Sequence, residues 1–147
     1  MYFVDRKLME AKLNYLEKLC SYLQENEGRL ASFTDQLALE RAVHMSIEAI
    51  LDVGNQMIDG FIMRDPGSYE DIIEIMQDEQ VVPEEEARQL IQFIQLRRLL
   101  VTEYIEVEGE SLWQGYRAAR EALHRFPERI RSYLNDHLGP VSAFLPE

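Results

Sequence analysis

Apolar side chains recur at alternating steps of three and four residues along most of this chain, which is the spacing of one face of an α-helix. In the first such segment the recurring positions are Met9, Leu13, Leu16, Cys20 and Leu23. No segment shows the sustained alternation of polar and apolar residues that a half-buried strand requires. We therefore expect an all-α fold, arranged as an up-and-down antiparallel bundle of about five helices.

Residues that start or stop helices divide the chain into five predicted helices. Asp5 is suited to cap the first helix, and the proline and glycine within residues 64–68 must end the second. Pro83 marks the start of the fourth, where the glutamates at 84–86 are expected to form a solvated first turn. Pro127 is expected to kink the last helix. The predicted helices cover residues 5–26, 35–63, 69–80, 84–106 and 111–138.

Length and cysteine content limit the class of protein. The 147 residues fit one domain, covering 1–147 with a short tail at 140–147. Cys20 is the only cysteine, so neither an intrachain disulfide nor a thiolate metal cluster can form, and no pattern indicates a metal or cofactor. No window of roughly 18 uncharged apolar residues is present, so we expect no membrane span. A cytoplasmic location is predicted.

The charge balance argues against loose binding of nucleic acid. The chain has 27 acidic and 15 basic residues, and its formal charge of −12 repels a phosphate backbone. Basic residues gather on the last predicted helix, at Arg117, Arg120, Arg125, Arg129 and Arg131. Either they line an RNA-facing groove or they pair within the helix with Glu121, Glu128 and Asp136. We favour the pairing within the helix.

The long second helix carries a row of polar residues at helical spacing between apolar neighbours. The row consists of His44, Glu48, Asp52 and Asn55. Two interpretations stay open: a hydrogen-bonded strip that satisfies itself at a helix interface, or one wall of a cleft. The aromatic residues Tyr69, Trp113, Tyr116 and Tyr133 follow the apolar period, so we expect core or dimer contacts from them rather than base-stacking platforms.

A second polar set lies on the otherwise apolar fourth predicted helix. Arg97, Val101 and Tyr104 are expected to share one face of that helix, with Thr102 beside them. Glycine-rich phosphate loops, paired histidines at i and i+4, and cysteine–histidine spacings are all absent from the sequence. The candidate catalytic residues are therefore limited to this set.

This set resembles the motif of the HepT-like family of the HEPN superfamily, which is Arg, four residues, His, one residue, Tyr. Arg97 and Tyr104 fit the motif. Residues 40–55 resemble the family's long second helix, and residues 61–69, 129–133 and 138–141 look most like the YutE-like members of that family. The resemblance implies a homodimer in which Arg and His from each chain converge on a cleft, where RNA, commonly tRNA, is cut without metal. It also implies a nucleotidyltransferase antitoxin as partner, with Tyr104 as the residue that is adenylylated.

The motif is incomplete in this chain. Thr102 stands where the family has its histidine, and a hydroxyl does not titrate near pH 7. Loss of a general acid or base typically costs about 10²–10⁴ in rate, so cleavage is expected to be weak or absent unless His44, His124 or His137 substitutes. Arg98 replaces the family's asparagine and adds positive charge that favours phosphate binding.

Three functions stay open at this point. The first is a degenerate ribonuclease site retained for binding RNA or a partner. The second is an active endoribonuclease toxin that uses Arg97. The third is a non-catalytic homodimeric module that engages a nucleotidyltransferase. The predicted site residues are Arg97, Thr102 and Tyr104, with Arg98, His44, Glu48, Asp52 and Asn55 expected around the cleft.

Overall fold

The computed structural model describes residues 4–138, and every regular element within that range is helical. The elements are α1 (Arg6–Glu25), α2 (Phe33–Gly60), α3 (Tyr69–Asp78), α4 (Glu84–Ile94), α5 (Leu96–Val101), a 3-10 helix (Tyr104–Glu106) and α6 (Gly109–Leu138). The expected all-α helical bundle is confirmed. The predicted helix stop at residues 139 and 140 and the predicted tail at 140–147 lie outside the described residues.

The first two helices begin at side-chain caps. The Asp5 carboxylate accepts a hydrogen bond of 2.9 Å from a backbone amide of the first turn, as predicted. Ser32 Oγ accepts a hydrogen bond of 3.2 Å from the amide of Asp35. Because Ser32 is the cap, α2 begins at Phe33 rather than at residue 35, and it ends at Gly60 rather than near residue 63.

Helix α2 is the centre of the bundle, and α1, α3, α5 and α6 all pack against it. Its fully buried side chains include Leu39, Val43, Ile47, Ile50, Val53 and Met57. Gly54 permits a close approach of α3, because a Cβ at this position would lie 2.5 Å from Ile72 Cγ2. The start of α3 is thereby held beside the polar row of α2.

The fourth predicted helix is divided in the structure, which corrects the expectation of one continuous helix. The break is at Gln95, whose φ of −65° and ψ of −22° are close to 3-10 values, so no loop separates α4 from α5. Leu96 packs tightly against α6, where a Cβ on Gly115 would be 2.6 Å from Leu96 Cδ1. Helix α5 ends at Val101, and Tyr104 lies beyond it in the 3-10 helix. Arg97 and Val101 share a face of α5 as expected, but that face does not continue to Tyr104.

Helix α6 continues through Pro127, which is buried within it. The helix begins at Gly109 rather than at residue 111. Trp113, Tyr116 and Tyr133 point into the core from this helix, as predicted. Within residues 4–138, no helix combines the length and the apolar character needed to cross a membrane.

The arginines of α6 are ion-paired, but mainly with other helices rather than within α6 as predicted. The pairs with α1 and the turn after it are Arg117 and Arg120 with Glu27, and Arg131 with Glu10 and Glu17. Arg125 comes within 3.9 Å of Glu121 on its own helix, a longer contact than these. The arginines therefore join helices together, and most of their charge is balanced by carboxylates.

Glu86 corrects the expectation that all three glutamates at 84–86 are solvated. Its side chain is 4% exposed. Arg129 donates to it from Nε at 2.9 Å and from Nη2 at 2.7 Å, and Arg125 donates at 3.4 Å. The hydrogen bond from Arg129 holds the pKa of the Glu86 carboxyl below its usual value, against the opposing effect of burial. This pair fixes the start of α4 to α6.

Candidate functional site

Arg97 lies near the start of α5 and faces the polar row of α2. Its Nε donates a hydrogen bond of 2.7 Å to Glu48 Oε1, and both side chains are about 30% exposed (28% and 30%). The hydrogen bond that Arg97 donates to Glu48 raises the pKa of the Arg97 guanidinium, so the group keeps its positive charge. Within residues 4–138, Arg97 Nη1 and Nη2 make no hydrogen bond. The fork of the guanidinium is thus available to an anion.

His44 belongs to the same cluster. Its Nε2 lies 3.2 Å from Glu48 Oε1, the oxygen that also accepts from Arg97. The carboxylate thus orients an imidazole and a guanidinium toward one place, although the two residues are far apart in sequence. The sequence offered His44 as one of three substitutes for the missing histidine, and His44 is the one that the structure brings to Arg97.

Tyr69, the first residue of α3, is also part of the site. The Arg97 Cζ lies 4.7 Å from the centre of the Tyr69 ring, which is the geometry of a cation–π contact. Tyr69 is 49% exposed, so it does not lie in the core, and the other expected role, a dimer contact, stays a prediction. The signal that would have identified it is Ser68, whose Oγ caps α3 at the amide of Asp71. Residues directly after a cap lie at the helix end, outside the buried stripe.

A groove of about 630 Å³ opens beside Arg97. It is lined by Tyr69, Glu70, Ile94, Gln95, Arg97, Arg98, Val101 and Thr102. The Arg98 side chain is 83% exposed, with only a distant contact of 3.8 Å to Glu103. The groove therefore offers two guanidinium groups from adjacent residues at one end of α5.

The remaining predicted residues are divided between this groove and other places. Thr102 is exposed and lines the groove, at the end of α5. Tyr104 is 65% exposed and does not line it. Asp52 binds Lys12 Nζ at 3.3 Å, away from Arg97. Asn55 lines a second hollow, which shares Tyr69 and Glu70 with the groove.

None of the three histidines lines the groove, and neither does Glu48; His44 contacts Glu48, which binds Arg97, whereas the other two histidines lie on α6. His124 Nε2 is 2.8 Å from the Tyr116 hydroxyl, and burial together with the charge of Arg120 lowers its pKa. His137 Nδ1 is 3.0 Å from its own helix carbonyl at Tyr133. Neither is placed to act with Arg97. Within the described part of the chain, no three His, Cys, Asp or Glu side chains converge as metal ligands.

Comparison with known proteins places these observations in a family. A family profile described as ribonuclease HepT-like matches residues 12–130. A protein of Bacillus subtilis (strain 168) named "Putative RNase YutE" is 49% identical over 144 residues, which is 98% of this chain and 99% of that protein.

Solved structures agree with this. The structure of the cytosolic protein YutE from Bacillus subtilis has a TM-score of 0.93 at 48% identity, covering 98% of this chain and 100% of that one. A tri-AMPylated HEPN toxin from Shewanella oneidensis, in complex with MNT antitoxin, has a TM-score of 0.74 at 17% identity, covering 84% of this chain and 96% of that one. The second likeness concerns the fold alone. The profile match over most of the chain and the 49% identity show that this chain belongs to the ribonuclease HepT-like family.

Proposed function

We propose that this protein binds RNA as a member of a toxin–antitoxin-type system and cleaves the bound RNA weakly or not at all. The observation that carries the proposal is the state of Arg97, whose Nε is fixed by Glu48 while both Nη groups stay without a partner in the described chain. A guanidinium held in this way presents its fork to a phosphate at little cost in side-chain entropy.

The rest of the groove fits this role. Arg98 adds a second positive charge beside Arg97. Most arginines of α6 are paired with carboxylates, whereas the Arg98 side chain in the groove is 83% exposed and its contact with Glu103 is 3.8 Å, so Arg97 and Arg98 are the two cationic groups that this groove offers to a phosphate. Such a site favours binding at one place over nonspecific coating of the surface. Weak cleavage is expected from Thr102, since its hydroxyl does not act as a general acid or base near neutral pH.

An active metal-independent endoribonuclease is the second candidate, and the position of His44 favours it. In this reaction His44 takes the proton from a ribose 2′-hydroxyl, and the 2′-oxygen attacks the adjacent phosphorus. The bond to the 5′-oxygen then breaks, and that oxygen takes a proton from solvent to leave a 5′-hydroxyl beside a 2′,3′-cyclic phosphate. Arg97 stabilises the charge that develops on the phosphate, and Glu48 orients His44.

A third candidate is a non-catalytic homodimeric module that binds a nucleotidyltransferase in the cytoplasm. Val101, Tyr104 and Ile105 are 41%, 65% and 86% exposed and form apolar surface next to the groove. Tyr104 thus stands free to accept an adenylyl group. Phe33 and Leu37, 73% and 50% exposed at the start of α2, add apolar surface of the kind that a second copy would bury.

The deciding experiment measures tRNA cleavage without metal by the wild type and by the Thr102→His, His44→Gln and Arg97→Ala variants. The proposed function predicts that only Thr102→His cuts and that the wild type retains tRNA at low salt. Cleavage by the wild type that is lost in both His44→Gln and Arg97→Ala would establish the ribonuclease instead. If the wild type neither retains nor cuts tRNA, both RNA functions are wrong.

The partner proposal has its own readouts. Co-expression with a nucleotidyltransferase from the same genome should give co-purification and an added adenylyl mass on the intact protein. Tyr104→Phe should abolish the added mass, while Tyr15→Phe, at an exposed tyrosine of α1, should retain it. Light scattering at micromolar concentration tests the homodimer, and a monomeric mass would contradict it.

A further inference from the structure

We propose that a second hollow, which Tyr69 lines and Arg97 does not, holds a nucleobase stacked on the Tyr69 ring when a phosphate of the same RNA strand lies on Arg97. This inference rests on the RNA binding proposed above and adds a base-binding subsite to it. The ligand is single-stranded RNA, because a base within a duplex has its faces covered by its neighbours.

Tyr69 lines two hollows. The first is the groove of about 630 Å³ that Arg97 lines, and the second has a volume of about 450 Å³. The second hollow is lined by Asn55, Pro66, Gly67, Ser68, Tyr69, Glu70 and Ile72. Tyr69 and Glu70 line both, whereas Arg97 lines only the first. An RNA strand that crosses the Tyr69 ring therefore passes from a groove lined by Arg97 to a hollow without that guanidinium.

The second hollow is suited to a base rather than to another phosphate. It contains no lysine or arginine, and Pro66, Gly67 and Ile72 give it apolar walls. Aromatic rings accept bases of any sequence on their faces, and each stacked base is worth about 1–3 kcal/mol by alanine substitution elsewhere. Because Arg97 already covers one face of the Tyr69 ring, the ring is held in place before RNA arrives.

Two polar side chains at this hollow are able to read the base edge. The side chains of Asn55 and Glu70 make no hydrogen bond to any other residue within 4–138. A carboxylate accepts hydrogen bonds from the exocyclic amino groups of cytosine, adenine and guanine, and uracil has no such group. The subsite is therefore expected to prefer bases with an amino group over uracil.

The test compares two probes by fluorescence anisotropy at low salt. One is a labelled oligocytidylate of about ten nucleotides, and the other is a sugar–phosphate oligomer of the same length without bases. Tyr69→Leu is expected to weaken oligocytidylate binding about 5-fold to 150-fold, and to weaken binding of the abasic oligomer much less. Tyr69→Phe keeps the ring and should bind both probes as the wild type does.

Controls separate this subsite from a general loss of function. Tyr15→Leu removes a tyrosine that is 41% exposed on α1 and should change neither affinity. Arg97→Ala should weaken both probes alike. Thermal unfolding of each variant, followed by circular dichroism, excludes misfolding as the cause.

Each other outcome has a defined meaning. An equal loss on both probes in Tyr69→Leu would show that Tyr69 acts only through Arg97, and the base subsite would be overturned. Wild type that binds neither probe would overturn the proposed RNA binding as well. Equal affinity for oligocytidylate and oligouridylate would show that Glu70 does not recognise the amino group of the base. A preference for oligocytidylate that is lost in Glu70→Ala would support this recognition.

Discussion

Arg97 and Glu48 are joined by a hydrogen bond of 2.7 Å between the start of α5 and the middle of α2. The carboxylate fixes the direction of the guanidinium but also offsets part of its charge. These two effects are separable by mutation, because glutamine keeps an acceptor oxygen and removes the charge.

Glu48→Gln is accordingly expected to strengthen binding of a single-stranded oligonucleotide, and Glu48→Ala to weaken it. The free energy of unfolding should change by less than about 1 kcal/mol in Glu48→Gln, since the pair is partly solvated. Anisotropy titrations at one fixed salt concentration measure the affinities. Equal weakening of oligonucleotide binding in both variants would show that the orienting effect of Glu48 and its effect on the charge of Arg97 are not separable.

Removal of the Glu86 charge is expected to destabilise the bundle. Glu86→Gln leaves Arg129 with a weaker acceptor in a buried position, so we expect the free energy of unfolding at neutral pH to fall by about 1–3 kcal/mol. Chemical denaturation measures this change. Glu84→Gln is the matched control at an exposed neighbour, and it should stay within about 0.5 kcal/mol of the wild type.

The same pair gives a pH dependence with a definite sign. The pKa of Glu86 is lowered in the folded protein, so its contribution is fully present above the unfolded value near 4.5 and is lost as the pH falls through the folded pKa. The difference in stability between wild type and Glu86→Gln should therefore shrink as the pH is lowered below about 4.5. A difference that stays constant down to the acid limit of folding would argue against this assignment.

Cys20 is expected to resist thiol reagents in the folded protein. Burial raises the pKa of its thiol to about 12, so almost no thiolate exists near neutral pH. The rate of reaction with a disulfide reagent, followed by absorbance, should be far slower in buffer than in denaturant. A native rate equal to the denatured rate would show that Cys20 is accessible.

Gly54→Ala should destabilise the protein even though alanine favours helices more than glycine does. The new Cβ would lie 2.5 Å from Ile72 Cγ2 and 3.2 Å from Met76 Cε, and overpacking of this kind costs about 1–3 kcal/mol. At Gly67 a Cβ meets only Asp71 Oδ2 at 3.7 Å, so Gly67→Ala is the control and should be close to neutral. Thermal unfolding compares the two. A stabilised Gly54→Ala would show that α3 moves away without cost.

Much of the fold could be predicted from the sequence, because its signals are local. Asp5 caps the first helix as the pattern indicated, and α2 ends at Gly60, a few residues before the predicted stop at residues 64–68. The break at Gln95 was not predictable in this way. Its neighbours are good helix formers, and the close contact of Leu96 with Gly115 links positions that are distant in sequence.

The candidate site could be predicted only in part, because its residues come together through contacts between positions that are distant in sequence. Arg97 was identified on one predicted helix and Glu48 and His44 in the polar row of another, and only the packing of α5 on α2 joins the two sets. Tyr69 was assigned to the core or a dimer contact because periodicity alone does not distinguish a helix end from a buried stripe. Glu86 was assigned to solvent because its partner, Arg129, lies on another helix.

The early end of α5 has a consequence for how relatives of this protein can diverge. Arg97 is anchored by α2, whereas residues 102–108 continue past the end of α5 through a short 3-10 helix. Insertions or deletions in that connecting segment would change the surface around Tyr104 without shifting the register of Arg97. The exposed surface around Tyr104 and the anchored position of Arg97 are therefore free to diverge on separate stretches of one chain.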